Sequence, residues 1–247
     1  MALSASITRD DVVSLWKERR LAFLQPSYAP SRRRTRRARS RTERCDPAHS
    51  ILKRLFDRSV ASVALVFLAP LLIGIAIAIK LTSRGPVFFS HARYGYRNHR
   101  FHIYKFRTMY THLCDISGTK QTVDGDTRTT PLGRFLRRTS LDELPQLINV
   151  VKGEMSLVGP RPHVPGMLAA SVLYEDLVPY YFHRHAARPG ITGLAQISGC
   201  RGTTAKSDAA INRIDYDLEY IERWSLWLDI KILVQTVRRE FISGNAV

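Results

Sequence analysis

"SVASVALVFLAPLLIGIAIAI", residues 59–79, runs for 21 residues without a charge. A stretch of that length and composition is a candidate membrane helix. A buried core helix is the alternative, but nothing more polar than Ser59 and Ser62 breaks the run on any face. Two features argue against a simple span. Pro70 falls in the middle, where its ring and missing N–H kink or break a helix. Both flanks are basic: Lys53, Arg54 and Arg58 before, Lys80 and Arg84 after. A spanning helix biases Lys and Arg to one side, whereas here both ends claim the cytoplasmic face. Ser59 to Ala69 would rise only ~16 Å at ~1.5 Å per residue, about half of a ~30 Å hydrocarbon core. The expectation is therefore a re-entrant helix-break-helix over 51–84, with two short helices meeting at Pro70. The backbone groups freed at the break then need partners inside the protein.

Upstream, "SRRRTRRARSRTER", residues 31–44, holds eight arginines and one glutamate. It has no apolar periodicity, so residues 1–50 are expected to be a basic, disordered segment. A solvated tail, anionic membrane lipid and nucleic acid are its three candidate settings. Residues 9–24 predict a short helix around Trp16. No apolar run follows Met1, so no secretory signal is expected. The 247 residues suit one ordinary domain plus extra segments, and the formal charge of +17 points to polyanionic partners. Cys45, Cys114 and Cys200 are widely spaced and odd in number, which suggests neither a zinc site nor a disulfide framework.

Downstream, "GPVFFSHARYG" and "RFHIYKFRTM" read as two strands joined by a turn at 94–99, a β-hairpin. Phe101, Ile103, Lys105 and Arg107 share one face of the second strand by alternation. Lys105 and Arg107 could then be a solvated edge or a phosphate contact. Residues 112–130 are polar and read as a loop. "PLGRFLRRTS" predicts a short amphipathic helix with Leu132, Phe135 and Leu136 on one side and Arg134, Arg137 and Arg138 added ahead of an acid pair. "DELPQLINVVKG" predicts a second helix, closed by Gly153. Arg161 and Arg188 fall in Gly- and Pro-rich turns, where glycine lets backbone N–H groups approach phosphate. The last stretch predicts a long amphipathic helix or helix pair. Its Tyr220, Trp224 and Trp227 suit a membrane interface or the interior equally. The eight histidines form no metal pattern. The expected fold class is α+β and helix-rich, with the re-entrant element followed by a hairpin-containing part over 85–247.

Asp142 and Glu143, in "TSLDELPQL" (139–147), stand side by side on an otherwise basic chain. Ser140 and Glu143 have capping-box spacing. Pro145 resists that register, because it would fall past the first turn. A helix start near Asp142 accommodates Pro145 and favours the ionised aspartate. Local pattern leaves cap and catalyst open. The surroundings suit chemistry. Moving a phosphoryl group between a nucleotide and a lipid phosphate needs arginine, lysine and a hard divalent metal. A carboxylate can be the nucleophile and carry the intermediate.

The motifs "KRLFDR", "GPVFF", "KFRTM", "LDELPQL", "GPRP" and "RPGITG" stand in this order between Lys53 and Gly193. With them the chain resembles the bacterial sugar transferase family, the monotopic polyprenyl-phosphate phosphoglycosyl transferases, over about 53–237. The resemblance implies a monotopic membrane protein at the inner, cytoplasmic membrane of a bacterium, with a re-entrant membrane helix, amphipathic surface helices and a small β-hairpin-containing cytosolic catalytic domain. It implies Asp142 as nucleophile toward a UDP-sugar, with UMP released and polyprenyl (undecaprenyl) phosphate as acceptor. Glu143, with Asp142, would bind Mg²⁺. Arg137 and Arg161 match phosphate-site positions, and Lys105, Arg107 and Arg188 are added as further cations. The sugar is expected to be galactose or glucose, in a short exopolysaccharide-type member without the multi-span N-terminal domain of larger ones. Ala69 for serine, Leu194 for tryptophan and "SGCRG" at 198–202 depart from the family pattern. The competing reading is a membrane-tethered basic scaffold without catalysis. No nucleic-acid module is recognisable, so no nucleic-acid partner is expected. The sequence leaves the oligomeric state open, a homodimer included.

Overall fold

The computed structural model describes residues 47–113, 125–200, 202, 204 and 206–242. The arginine-rich run 31–44, the helix expected within 9–24 and residues 114–124 of the expected loop lie outside the described residues. The body is assembled from a long helix, a hairpin, two short strand pairs and helices at the C-terminal end.

Helix α1 spans Ile51–Thr82. Ser50 caps it, its Oγ accepting from the Lys53 N–H at 3.2 Å. The helix runs through Pro70 without interruption, so the two separate helices expected there are one element. The proline stands on the outward side of α1. A proline ring crowds its own side of a helix, and long helices curve around the core they pack on. One stripe of α1 rests on the body. Lys53, Asp57, Ala61, Ile75 and Ile79 are buried there. Ala64, Leu65, Leu68, Leu72 and Ala76 continue the stripe at helical spacing, half-buried against two core clusters. The opposite stripe is apolar and bare. Phe67 and Leu81 are each 82% exposed, alongside Val63, Val66 and Ile73. By length and composition α1 is able to cross a membrane. Only a non-aqueous medium or a partner would cover such a face favourably.

Strands β1 (Phe88–Tyr94) and β2 (Arg100–Phe106) form the expected antiparallel hairpin, with Phe89 opposite Lys105 and Arg93 opposite Phe101. Arg97 and Asn98 take left-handed backbone in the turn. Helix α2 (Pro131–Arg138) is capped by Thr130, whose hydroxyl accepts from the Gly133 N–H at 2.9 Å. Leu136 is buried, but Phe135 is 47% exposed, so the three apolar residues do not all face inward. Helix α3 (Gln146–Lys152) ends at Gly153 in left-handed backbone, as expected.

β3 (Ser156–Val158) pairs in parallel with β6 (Gly190–Thr192), which the sequence did not announce. A Cβ on Gly159 would lie 2.3 Å from the Arg188 carbonyl oxygen, and one on Gly190 2.1 Å from the Gly159 nitrogen. Those glycines, expected to admit phosphate, instead let two chain segments touch. β4 (Leu168–Ala169) and β5 (Val172–Leu173) make a minimal hairpin. It leads through α4 (Tyr174–Leu177) to a 3₁₀ segment at Tyr181–Ala186. After β6 come α5 (Leu194–Ile197), α6 (Ser207–Arg223) and α7 (Leu226–Ile242), the last two being the expected helix pair. Tyr220 is buried and Trp224 packs on the main core, while Trp227 is 75% exposed. The three aromatic residues therefore divide between interior and surface.

Candidate active site

Asp142 and Glu143 lie in a 3₁₀ turn, Leu141–Glu143, ahead of α3. Pro145 immediately precedes α3, where the helix needs no N–H from it. The capping box is not formed. Ser140 has left-handed backbone (φ 53°), and its side chain makes no capping hydrogen bond. α3 begins only at Gln146, so Asp142 is not its cap and its dipole contributes little. The turn is pinned by packing. Leu141 joins the cluster around Ile75, Ile79, Phe106 and Leu136, while Leu147 and Val150 join the main core.

The two carboxylates differ in their surroundings. Glu143 accepts from the Lys105 ammonium at 2.6 Å. The Arg161 guanidinium forks onto it at 2.6 and 3.2 Å. Burial favours a neutral Glu143, but Arg161 and Lys105 outweigh it and hold the carboxyl well below the usual range. Asp142 is 7% exposed. No ion pair or side-chain hydrogen bond reaches its carboxylate from the described residues. Burial, reinforced by the Glu143 charge, pushes it up to about 6, against the pull of Lys105, Arg137 and Arg161. One acid is thus clamped and ionised; its neighbour is buried and unclamped.

The cations are placed by separate elements. Alternation along β2 turns Lys105 toward the acid pair, where its ammonium meets Glu143. Gly133 lets α2 press against Thr108, since a Cβ there would meet the Thr108 carbonyl oxygen at 2.0 Å. The Arg137 Nε then donates to the Thr108 hydroxyl at 2.8 Å. Arg161 stands in the Pro160–Pro162 turn, and Arg184 braces it by donating to the Arg161 carbonyl. Arg184 is itself buried and paired with Asp217 at 2.7 Å.

Two expected site cations are elsewhere. Arg107 follows the last β2 residue, beyond the reach of alternation. It donates to the Ser83 carbonyl (2.8 Å) and hydroxyl (2.7 Å) and to the Arg84 carbonyl (3.0 Å). Those bonds tie the segment just after α1 to the hairpin. Arg188 donates to the Ala48 carbonyl (2.8 Å) and the Gly153 carbonyl (3.2 Å), at the start of α1. Both are tethers. Sequence reasoning missed Thr108, Arg184 and Asp217, whose roles depend on partners far along the chain. No local pattern could have disclosed them.

Among the described residues no three His, Cys, Asp or Glu side chains gather to hold a metal. Mg²⁺ shared with substrate phosphates needs only one or two protein carboxylates, with water completing its octahedron. Asp142 offers an uncommitted carboxylate, and Glu143 can join it by releasing one of its two cations. The pair fits an ion bound together with a phosphorylated ligand.

Residues 48–243 match the bacterial sugar transferase family. The chain is 51% identical over 194 residues to an undecaprenyl-phosphate glucose phosphotransferase of Komagataeibacter xylinus, covering 78% of this chain and 36% of that protein. It is 50% identical over 195 residues to the exopolysaccharide production protein PSS of Rhizobium leguminosarum bv. phaseoli, covering 79% of this chain and 98% of that protein. A UDP-glucose:undecaprenyl-phosphate glucose-1-phosphate transferase of Escherichia coli is 47% identical over 196 residues, covering 79% of this chain and 41% of that protein. The chain thus spans little more than a third of some relatives and nearly all of another. With the match running from the start of α1 to the end of α7, the chain belongs to the bacterial sugar transferase family.

Proposed function

We propose that the protein transfers a sugar 1-phosphate, glucose 1-phosphate by preference over galactose 1-phosphate, from a UDP-sugar to undecaprenyl phosphate. The observation that carries this is the buried Asp142 carboxylate, without a partner among the described residues, beside a clamped, ionised Glu143 and among Lys105, Arg137 and Arg161. An Asp142 oxygen attacks the β-phosphorus. The bond from that phosphorus to the bridging oxygen breaks, and UMP leaves with the oxygen. The sugar phosphate is then held as an acyl phosphate on Asp142. A phosphate oxygen of the lipid attacks the same phosphorus and releases the carboxylate. Arg137 and Arg161 spread the charge developing on the phosphoryl oxygens, and Lys105 keeps Glu143 ionised. Mg²⁺ bound by Asp142 and Glu143 with the diphosphate would supply further neutralisation. The preference for glucose rests on the names of the relatives, which specify glucose, and the product would begin exopolysaccharide assembly. Purified protein with Mg²⁺, radiolabelled UDP-glucose and no lipid should retain label and release UMP. Label absent from protein while lipid-dependent turnover proceeds would replace the covalent route by direct transfer.

We also propose that α1 re-enters the cytoplasmic face of the bacterial inner membrane. Both ends of α1 are bonded to one body: Lys53 to Asp229 at 2.7 Å, and Ser83 to Arg107. A crossing helix would leave one end on the far side. Leu52→Cys and Leu81→Cys, each in a background without native cysteines, should both react with impermeant maleimide only from the cytoplasmic side. Reaction from opposite sides would establish a span.

A further inference from the structure

Arg93 lies on β1 opposite Phe101, on the hairpin face that also presents Lys105 from β2. The next residue fastens this strand to the segment after the Arg161 turn, the Tyr94 N–H donating to the His163 carbonyl at 3.0 Å. Arg93 is thereby held beside Arg161 and Glu143, whose charges both act on it. Lys105 and Arg161 have an acid in contact. Arg93 does not. Its Nε is sealed from solvent, and no hydrogen bond to it exists among the described residues. Burial, with Arg161 close by, lowers it to about 10 against the pull of Glu143 and Tyr181, so at neutral pH the charge remains. A guanidinium kept charged, half-buried and without an acid is costly unless something else meets it. Phosphate does so well, since two of its oxygens match the guanidinium fork. The site's formal charge agrees. Four cations (Arg93, Lys105, Arg137, Arg161) face two acids, leaving an excess of two positive charges, the complement of a phosphate dianion.

We propose that Arg93 is a substrate-binding residue that receives a phosphate group of the bound substrate beside Arg161. Given the transferase reading above, that group belongs to the nucleotide diphosphate or to the prenyl phosphate, which present the same chemistry. The test uses the full chain in detergent, with Arg93→Met and Arg93→Lys compared with wild type. Melting is measured without ligand, and affinity is measured for UDP, a short-chain prenyl phosphate and inorganic pyrophosphate. Arg93→Met is expected to melt no lower than wild type, because the guanidinium has no partner to lose. It should bind one of the two organic phosphates about 10- to 100-fold more weakly, the scale of a charge-assisted hydrogen bond. Arg93→Lys should recover part of that loss. The weakened arm identifies the ligand. Unchanged affinity for both organic phosphates in Arg93→Met overturns the proposal. So does lower melting in Arg93→Met with affinity lost equally in Arg93→Lys, which marks a structural arginine. If wild type binds pyrophosphate but neither UDP nor prenyl phosphate, the transferase reading fails. Loss of pyrophosphate binding in Arg93→Met would still support the Arg93 site.

Discussion

Asp142→Asn should abolish turnover and yet melt higher than wild type at pH 7.5. Removing a covalent nucleophile lowers rates by roughly 10³-fold or more, so UMP release should fall to background. The stability gain has a separate origin. Asp142 titrates at about 6 in the folded chain against 3.8 for a free side chain. Its ionised form is therefore disfavoured by folding. The sign follows from proton binding. Between 3.8 and 6 the native state holds the proton more tightly than the unfolded chain. The associated stability is complete below about 4 and lost as pH rises through 6. Above 7 the ionised carboxylate costs the fold about 3 kcal/mol at about 1.4 kcal/mol per pH unit. Asparagine removes that charge without changing the shape. The melting difference between Asp142→Asn and wild type should be positive at pH 7.5 and vanish near pH 4. The wild-type rate should rise about tenfold per pH unit up to about 6 and then level off. A mutant that melts lower at pH 7.5 would show that the carboxylate is a structural acceptor. A rate that is flat from pH 5 to 8 would remove Asp142 from the ionised nucleophile's role.

What could be read from the sequence was what local spacing decides. Gly153 stops α3 because only an easy left-handed residue fits there, and the sequence names it. Alternation along β2 aims Lys105 at the acid pair, and alternation ends with the strand, so it does not say where Arg107 points. One residue past Phe106 its side chain turns to the carbonyls of Ser83 and Arg84, just after α1. Arg188 is alike: a turn in the sequence does not state what the turn faces. The capping box failed because Ser140 entered left-handed backbone, which spacing cannot show. The parallel pairing of β3 with β6 joins residues more than thirty positions apart. Nothing in "SLVGPRP" or "RPGITG" alone signals it. Arg93 and the Arg184–Asp217 pair also belong to this long-range class. Helical period placed Tyr220, Trp224 and Trp227 on amphipathic helices without saying which of them the core would claim.

Asp229→Ala should be the most destabilising single substitution among the buried ion pairs at α1. Asp229 has no solvent exposure. Its carboxylate accepts the Lys53 ammonium at 2.7 Å, the Tyr220 hydroxyl at 2.8 Å and the Trp224 indole N–H at 3.0 Å. Alanine would leave all three without that acceptor. Stranding a buried ammonium costs about 3–5 kcal/mol. Asp57, 3.5 Å from the same ammonium, would hold the loss toward the lower end. At about 2–4 °C per kcal/mol for a chain of this size, melting should fall by roughly 10 °C. The damage should also be directed. Lys53 is in the first turn of α1, so amide exchange should accelerate from Ile51 to Ala61 while the Ser83 end, held by Arg107, stays protected. A buried pair is not stabilising merely because breaking it is costly. The triple change Lys53→Met, Asp57→Asn and Asp229→Leu removes the ammonium and both of its acids while keeping volume, and should recover most of the lost melting temperature. If the triple variant melts as low as Asp229→Ala, the loss arises from Tyr220 and Trp224 rather than from the stranded charge. The first turn of α1 would then be held by the aromatic side chains of α6 and its exit, with the ion pair contributing little.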